Sequence, residues 1–467
     1  MTGNEKSMVK DAVLFTGSFF LFIYIHLPLA LRFGYDADEI LDYTGSQMAQ
    51  DVYLSCGRWG LVLWSWLVGD GIKPWSGGIT AGVILCAALI LQTKILFAPQ
   101  TQSYYKAIYC AIYLACCQFA YTMSYSMQVE GFALAILFAT LACFVLFATQ
   151  SISYIRILSS IGLLFVALSF YQTSGLLFFT LFLCCMVQIA NKTMFFKHLA
   201  ILGGTCLGAI ILFALSKAAI LTFVQPCEEA MLFAKHHEQW TLSEGILHTK
   251  TAPIHLIINR FMQAVSCNKY LQICTFVSLL MWGYRMMRQR NFLKLCLMLA
   301  AIVIPYAATL FMYTEQRMLM FLPLFCAFCV TTVASRFAPA KHYRWMIPIL
   351  AIICIFAAHK VSHMSLTERT KHDFNLMERY AQYYNAQKLM LDSGLNEQTG
   401  KIIVFERGWN RYAPDFYHSY PFKNFHLGTY KDYETYQHIL NNMPCWPASG
   451  SIVRDENVIL IKGQSRW

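Results

Sequence analysis

The chain has 467 residues, of which 57% are hydrophobic and only 13% are charged. This composition exceeds the apolar share of soluble domains and indicates a polytopic membrane protein. The net charge of +11 does not indicate a nucleic-acid partner, because Lys and Arg fall mainly in short loops between apolar runs.

Apolar runs of about the length that crosses a bilayer recur along the first 360 residues and predict about eleven transmembrane helices. The first run follows Lys6 and Lys10 without a small-residue cleavage site, so we interpret it as an uncleaved span. The predicted spans cover residues 11–31, 78–97, 106–124, 129–149, 155–171, 173–190, 199–221, 270–285, 294–312, 318–334 and 345–361.

Basic residues occur in alternate loops, which predicts that these loops and the N-terminus are cytoplasmic. They are Arg156, Lys192, Lys197, Arg285, Arg288, Arg290, Lys294, Arg336, Lys341 and Arg344. The opposite, extracytoplasmic side then receives loop 32–77, loop 222–269 and the C-terminal residues 362–467. Within the first of these loops, residues 57–71 are rich in Trp and too short to span, so we expect them to lie flat or to dip in and return.

The character of the chain changes after residue 361. Residues 367–391 have apolar side chains three to four apart and predict a helix. The runs KIIVF at 401–405 and NVILI at 457–461 predict short strands. The sequence therefore predicts a transmembrane domain over residues 1–361 and a small extracytoplasmic α/β domain over residues 362–467.

Four acids crowd into the first outer loop, at Asp36, Asp38, Glu39 and Asp42. Two interpretations are open. One is a solvated loop with a helix N-cap before Leu41. The other is a catalytic site, in which mutual repulsion and a partly apolar setting give one carboxylate a pKa suited to a general base. These acids are also candidate ligands of a divalent cation, Mg²⁺ or Mn²⁺.

Other polar residues near predicted outer span ends also have two interpretations each. Glu130 is either a charge stabilised at a helix N-terminus or part of a shared pocket. Arg58 beside Trp59, Arg317 and Lys217 are either snorkelling cations or contacts to a phosphate, which suits guanidinium geometry well.

Tyr171 and Gln172 fall where one span ends and the next begins. They predict either a polar turn between helices or a site that recognises sugar hydroxyls. The histidines of residues 236–255 lack a metal-ligand pattern, so no metal site is assigned to them. Walker, Rossmann and Gly-x-Ser-x-Gly motifs do not occur, which leaves soluble nucleotide cofactors unsupported.

Several short motifs together resemble the type II glucosyltransferases that modify bacterial O-antigen. The likeness extends over most of the membrane part and is weaker in the C-terminal residues. The motifs are Asp-x-Asp-Glu at 36–39, Gly-Arg-Trp at 57–59, Phe-Tyr-Gln at 170–172 and Gln-Arg at 316–317.

The resemblance implies a C-type glycosyltransferase fold with its active site on the outer face of a bacterial inner membrane. It implies a polyprenyl-phosphate sugar donor, a glycan acceptor, and a catalytic acid at Asp36 or Asp38 with Glu39 beside it. The family often shows paired acids, whereas Ala37 separates the two aspartates here. The candidate substrate-binding residues are Arg58, Trp59, Glu130, Tyr171, Gln172, Lys217 and Arg317.

Two other functions suit a many-span protein with few charges: a transporter or flippase of lipid-linked sugars, and a non-catalytic protein of envelope polysaccharide assembly. Transporters tend to repeat their halves and to place polar residues near the bilayer midplane. In this sequence no repeat is visible and the charges gather at one face, which favours the enzyme.

Overall fold

The computed structural model describes fourteen stretches of the chain. They are residues 3–30, 47–68, 76–98, 101–116, 129–147, 153–189, 192–227, 230–231, 269–310, 319–337, 345–396, 399–405, 425–427 and 430–462. Four candidate site residues, Asp36, Asp38, Glu39 and Arg317, lie outside these stretches.

Helices dominate the described residues. In chain order they are α1 (Gly3–Ala30), α2 (Gln47–Ser55), α3 (Trp59–Val68), α4 (Ser76–Leu96), α5 (Ser103–Leu114), α6 (Val129–Phe147), α7 (Tyr154–Phe170), α8 (Ser174–Ile189), α9 (Lys192–Phe223), α10 (Lys269–Arg288), α11 (Phe292–Leu310), α12 (Phe321–Phe337), α13 (Met346–Asp392) and α14 (Tyr430–Leu440). The strands are β1 (Lys401–Phe405), β2 (Phe425–Leu427), β3 (Ile452–Asp455) and β4 (Val458–Lys462).

Each of the eleven predicted spans overlaps one helix, so the apolar runs located the helices correctly. Five helical segments within the described residues are long and apolar enough to cross a membrane by length and composition. They are Met8–Pro28, Gly77–Leu96, Val129–Phe147, Phe195–Phe223 and Met346–Thr367. Shorter apolar helices account for other predicted spans. The polytopic all-α membrane class is therefore supported, while eleven crossings stays a prediction.

The described residues fall into two compact units. The first lies within Met1–Phe33, Tyr53–Pro226 and Ala234–Thr367. The second lies within Gly34–Val52, Cys227–Phe233 and Glu368–Trp467. The domain division predicted at residue 361 stays a prediction.

In the first unit, α6 is a central helix that packs against α3, α4, α7 and α8. Apolar side chains fill its surroundings, and a short polar chain links three helices within them. Tyr109 of α5 donates a 2.6 Å hydrogen bond to Gln92 of α4, which donates at 3.0 Å to Thr140 of α6. Buried polar groups of a membrane bundle need such partners, because the bilayer interior supplies none.

At one end of the bundle, Lys94 of α4 forms an ion pair with Asp11 of α1 at 2.9 Å. The end of α4 and the start of α1 therefore lie on the same side. This agrees with the predicted topology, in which the first span leaves the cytoplasm and the second returns to it.

The sheet of the second unit has the order β2-β1-β4-β3, with β1 parallel to both neighbours and β3 antiparallel to β4. One face, with Ile402 and Ile461, packs against Met390 of α13. The other face, with Ile403 and Leu460, packs beside Leu440 of α14. Alternate residues of each strand thus serve two apolar layers, as the period of a strand requires.

Three features of this region differ from the sequence-based expectation. The predicted last span and the helix over 367–391 form one continuous helix, because residues 362–366 contain neither Pro nor Gly to break it. The segment expected to be loop between the two predicted strands contains α14, which sends Tyr433, Tyr436 and Leu440 toward the sheet. The strands β2 and β3 are short and were also missed.

Candidate functional site

The turn from α2 into α3 is the framework of the candidate site. The backbone N–H of Gly57 donates to the carbonyl of Leu54, and that of Arg58 donates to the carbonyl of Tyr53, at 2.9 and 2.7 Å. These two bonds, with Gly57 at φ +75°, form a Schellman helix end. The turn fixes Arg58 directly before the first residue of α3.

Close packing also explains the glycine in this turn. A Cβ at position 57 would lie 2.7 Å from the ring of Phe213 and 3.5 Å from Cδ of Lys217, both on α9. The half-buried Lys217 side chain therefore passes beside the turn that carries Arg58. The structure brings these two candidate phosphate ligands to the same region.

Arg58 rests on an aromatic surface at the junction of α7 and α8. Its guanidinium carbon lies 5.0 Å from the ring centroid of Tyr171, a cation–π arrangement. Tyr171 is only 4% exposed and meets Phe132 of α6 edge to face, at 5.3 Å between ring centroids. Nε of Arg58 is buried and has no hydrogen-bond partner within the described stretches. The Tyr171 ring therefore holds the guanidinium in place, and within the described residues its Nε–H is available to donate a hydrogen bond.

Gln172, the next residue, binds the same turn. Its Nε2 donates a 2.7 Å hydrogen bond to the carbonyl oxygen of Cys56. This contact gives Gln172 a structural role at the junction, which corresponds to the polar-turn interpretation of the sequence.

Trp59 begins α3 and packs against Phe165 of α7, with 5.4 Å between ring centroids. Its Nε1 is buried and has no hydrogen-bond partner among the residues that the structure describes. The ring therefore takes part in helix packing, and its buried N–H is a donor with no acceptor among the described residues.

Glu130 lies in the first turn of α6 and is 7% exposed. Its Oε2 accepts a 2.5 Å hydrogen bond from Nε1 of Trp64 on α3. The helix N-terminus and this donor both favour a carboxylate at this position. Trp64 was missed by the sequence analysis, although the Trp-rich character of residues 57–71 marked its segment.

Two glycines allow α3 to lie close to its neighbours. A Cβ at Gly60 would be 2.5 Å from Oγ and 3.1 Å from the backbone carbon of Ser169 on α7. A Cβ at Gly131 of α6 would be 2.0 Å from a methyl group of Leu61. The short helix α3 therefore packs closely against α6 and α7. This close approach requires glycine at both contact positions, because a side chain there would collide with the neighbouring helix.

The structure therefore gathers six predicted site residues around α3 and the turn before it: Arg58, Trp59, Glu130, Tyr171, Gln172 and Lys217. Their chemical roles stay predictions. Within the described stretches no group of three or more His, Cys, Asp or Glu side chains comes together as a metal site. The acidic residues proposed as ligands of a divalent cation lie outside those stretches.

The sequence of this chain matches one family model over residues 33–352, which is more than half of its length. The model is described as glucosyl transferase GtrII. No curated protein and no solved structure matches the chain. The match begins in the acidic loop of residues 32–77, covers all the candidate residues and confirms the resemblance that their motifs indicated. The chain belongs to the GtrII glucosyl transferase family.

Proposed function

We propose that this membrane glycosyltransferase moves a hexose, glucose by family analogy, from a polyprenyl-phosphate donor to a cell-surface glycan such as O-antigen. The reaction takes place on the outer face of the bacterial inner membrane. Family membership favours this enzyme over a flippase of lipid-linked sugars and over a non-catalytic assembly protein.

The observation that carries the proposal is the position of Arg58. A cation held on the Tyr171 ring suits a phosphate group, because its buried Nε has no hydrogen-bond partner among the described residues and Lys217 lies beside its turn. The leaving group of a polyprenyl-phosphate sugar is such a phosphate. Arg58 and Lys217, together with Arg317, would neutralise the charge that develops as it leaves.

The proposed reaction is a direct displacement. An acceptor hydroxyl oxygen attacks the anomeric carbon while the bond from that carbon to the phosphate oxygen breaks, and the configuration inverts. The bonding electrons leave with the polyprenyl phosphate, and the hydroxyl proton goes to Asp36 or Asp38. Glu39 is the neighbouring acid. Glu130 and Tyr171 line the sugar side of the pocket, and Gln172 holds the turn beside them. This assignment requires no metal ion.

Transfer of labelled glucose from a polyprenyl-phosphate donor by the purified full-length protein tests the proposal. We expect Asp36→Asn or Asp38→Asn to lower the transfer rate by about 10²–10⁴-fold, the usual contribution of a general base. Asp70→Asn is the matched control, since Asp70 lies in the same predicted outer loop but outside the acidic cluster. Full activity of both Asp36→Asn and Asp38→Asn would rule out the assigned base.

A further inference from the structure

Four polar side chains lie on adjoining helix ends, at the side of the bundle that the sequence predicts to be cytoplasmic. Arg285 and Arg336 lie in the last turns of α10 and α12. Lys294 lies in the first turn of α11, and Gln188 in the last turn of α8. Because α8 packs against α11 and α12, and α12 also packs against α10, these helix ends adjoin one another.

Arg336 is fixed within this group. Its Nη2 donates a 2.9 Å hydrogen bond to Oε1 of Gln188. Lys294 and Arg336 are close enough for their charges to repel each other, and the same holds for Arg336 and Arg285. All three cations are half-buried. Like charges held together partly out of water are unfavourable unless an anion offsets them.

The surrounding helices supply no such anion. The sequence contains no Asp or Glu from residue 131 to 227, from 245 to 314, or from 316 to 367. Of the 25 acidic residues, the predicted topology leaves only Glu5 and Asp11 on the cytoplasmic side, and Asp11 is paired with Lys94. The counter-charge of Arg336 and Lys294 is therefore expected from the surroundings of the protein.

On the helices α10 and α11 that carry Arg285 and Lys294, several apolar side chains are exposed on the surface of the bundle. Leu280, Tyr284 and Met287 of α10 are exposed, as are Leu299 and Val303 of α11. Exposed apolar helix faces of a membrane bundle lie against acyl chains, while the cations at their ends lie at headgroup level. This continuity of charged end and apolar face suits a lipid better than a free anion.

We propose that Arg336 and Lys294 bind the phosphate headgroup of an anionic phospholipid, and that Gln188 positions Arg336 for this contact. The planar guanidinium of Arg336, held by Gln188, presents its remaining N–H donors in the fork that matches phosphate oxygens. The site is separate from the proposed sugar-transfer site and does not depend on the proposed reaction.

Titration of the purified full-length protein with phosphatidylglycerol, followed by native mass spectrometry, tests this site. Phosphatidylcholine serves as the neutral comparison. Because one cation near an anionic headgroup contributes about 1 kcal/mol, we expect Arg336→Gln or Lys294→Gln to weaken phosphatidylglycerol binding about fivefold. Arg336→Lys should keep most of the affinity.

Arg288→Gln is the matched control, since Arg288 lies in the same last turn of α10 but is exposed. It should change the affinity by less than about twofold. Gln188→Ala keeps every charge and should weaken binding less than Arg336→Gln does. Elution volume and unfolding temperature identify a misfolded variant, and if Arg336→Gln misfolds, Lys294→Gln carries the test.

Three outcomes would overturn the proposal. Equal losses in Arg288→Gln and Arg336→Gln would mean a diffuse surface charge instead of a site. Equal affinity of the wild type for phosphatidylglycerol and phosphatidylcholine would remove the role of the headgroup charge. Displacement of phosphatidylglycerol by millimolar inorganic phosphate would indicate a site for small anions.

Discussion

The two ends of α8 use polar residues in opposite ways. Gln172 lies two residues before the helix and Gln188 lies in its last turn, and an ideal helix from Ser174 to Gln188 is about 21 Å long. Near Gln172, charges of both signs are present: Glu130 accepts a hydrogen bond from Trp64, and Arg58 rests on Tyr171. At the other end, Arg285, Lys294 and Arg336 gather on helices that contain no acid.

This difference indicates what each end is built to hold. Internal partners fix side chains in one geometry, which a reaction centre requires. A group of like charges without carboxylates on its own helices instead suits the proposed anionic headgroup. The variants below challenge this contrast, beginning with the largest expected effect.

Among the residues that the structure describes, Arg58→Ala should have the largest effect on sugar transfer. Loss of a hydrogen bond to a charged group costs about 1.5–3 kcal/mol, so we expect the rate to fall about 10- to 100-fold. Arg58→Lys should recover part of it, since the charge stays but the fork is lost. The measurement is kcat and KM for the labelled donor, with Arg288→Ala as control for loss of one arginine at the other end. Unchanged kinetics in Arg58→Ala would contradict a phosphate contact.

Glu130→Ala should lower the free energy of unfolding by about 1–3 kcal/mol, because it leaves Nε1 of Trp64 without its acceptor. Glu130→Gln retains a carbonyl oxygen and should cost less. Unfolding in detergent, followed by tryptophan fluorescence, measures both. If the two variants were equally stable, the hydrogen bond from Trp64 would not be the reason for a buried acid here.

Gly60→Ala should cost about 1 kcal/mol, the low end for added volume in a packed core, because the nearest obstacle is a rotatable hydroxyl. Ser169→Ala in the same chain removes that oxygen and should restore part of the loss. Gly162→Ala in α7 is the control, since a Cβ there meets nothing within 4 Å. The same unfolding assay applies, and equal effects of Gly60→Ala and Gly162→Ala would disprove close packing of α3 on α7.

Asp11→Asn should have the smallest effect. Its ion pair with Lys94 is partly exposed, and such pairs contribute about 0.2–1 kcal/mol. Added salt should reduce the difference from the wild type further. Sugar transfer should stay within about twofold of the wild-type rate, since this end is distant from the reaction. A large loss of transfer in Asp11→Asn would contradict the view that the two ends have separate functions.

Much of the fold could be predicted because the bilayer imposes a simple rule on composition. Long apolar runs must form helices there, since no water satisfies an exposed backbone, and the eleven runs did locate helices. The runs at 401–405 and 457–461 likewise located β1 and β4. Weaker patterns gave wrong predictions. The segment of α14 was predicted to be a loop, because its aromatic residues form an apolar face only where they pack against the sheet.

The candidate site was predictable in part for a related reason. Charged and polar residues beside a membrane are costly, so Arg58, Glu130 and Lys217 stood out against an apolar background. Trp64 did not, because one tryptophan in a Trp-rich segment gives no sign of which acceptor its N–H will meet. The acids at positions 36, 38 and 39 remain predictions from sequence and family.

By itself, the sequence determined the membrane class, the family, the helix positions and the residue types of the site. Only the tertiary structure decided that Arg58 lies on Tyr171, that Lys217 passes beside Gly57, and that Arg336 meets Gln188. The reason is that a hydrophobic run can be recognised within one short stretch of sequence, whereas these contacts join residues more than a hundred positions apart. Their partners are chosen by how the helices pack.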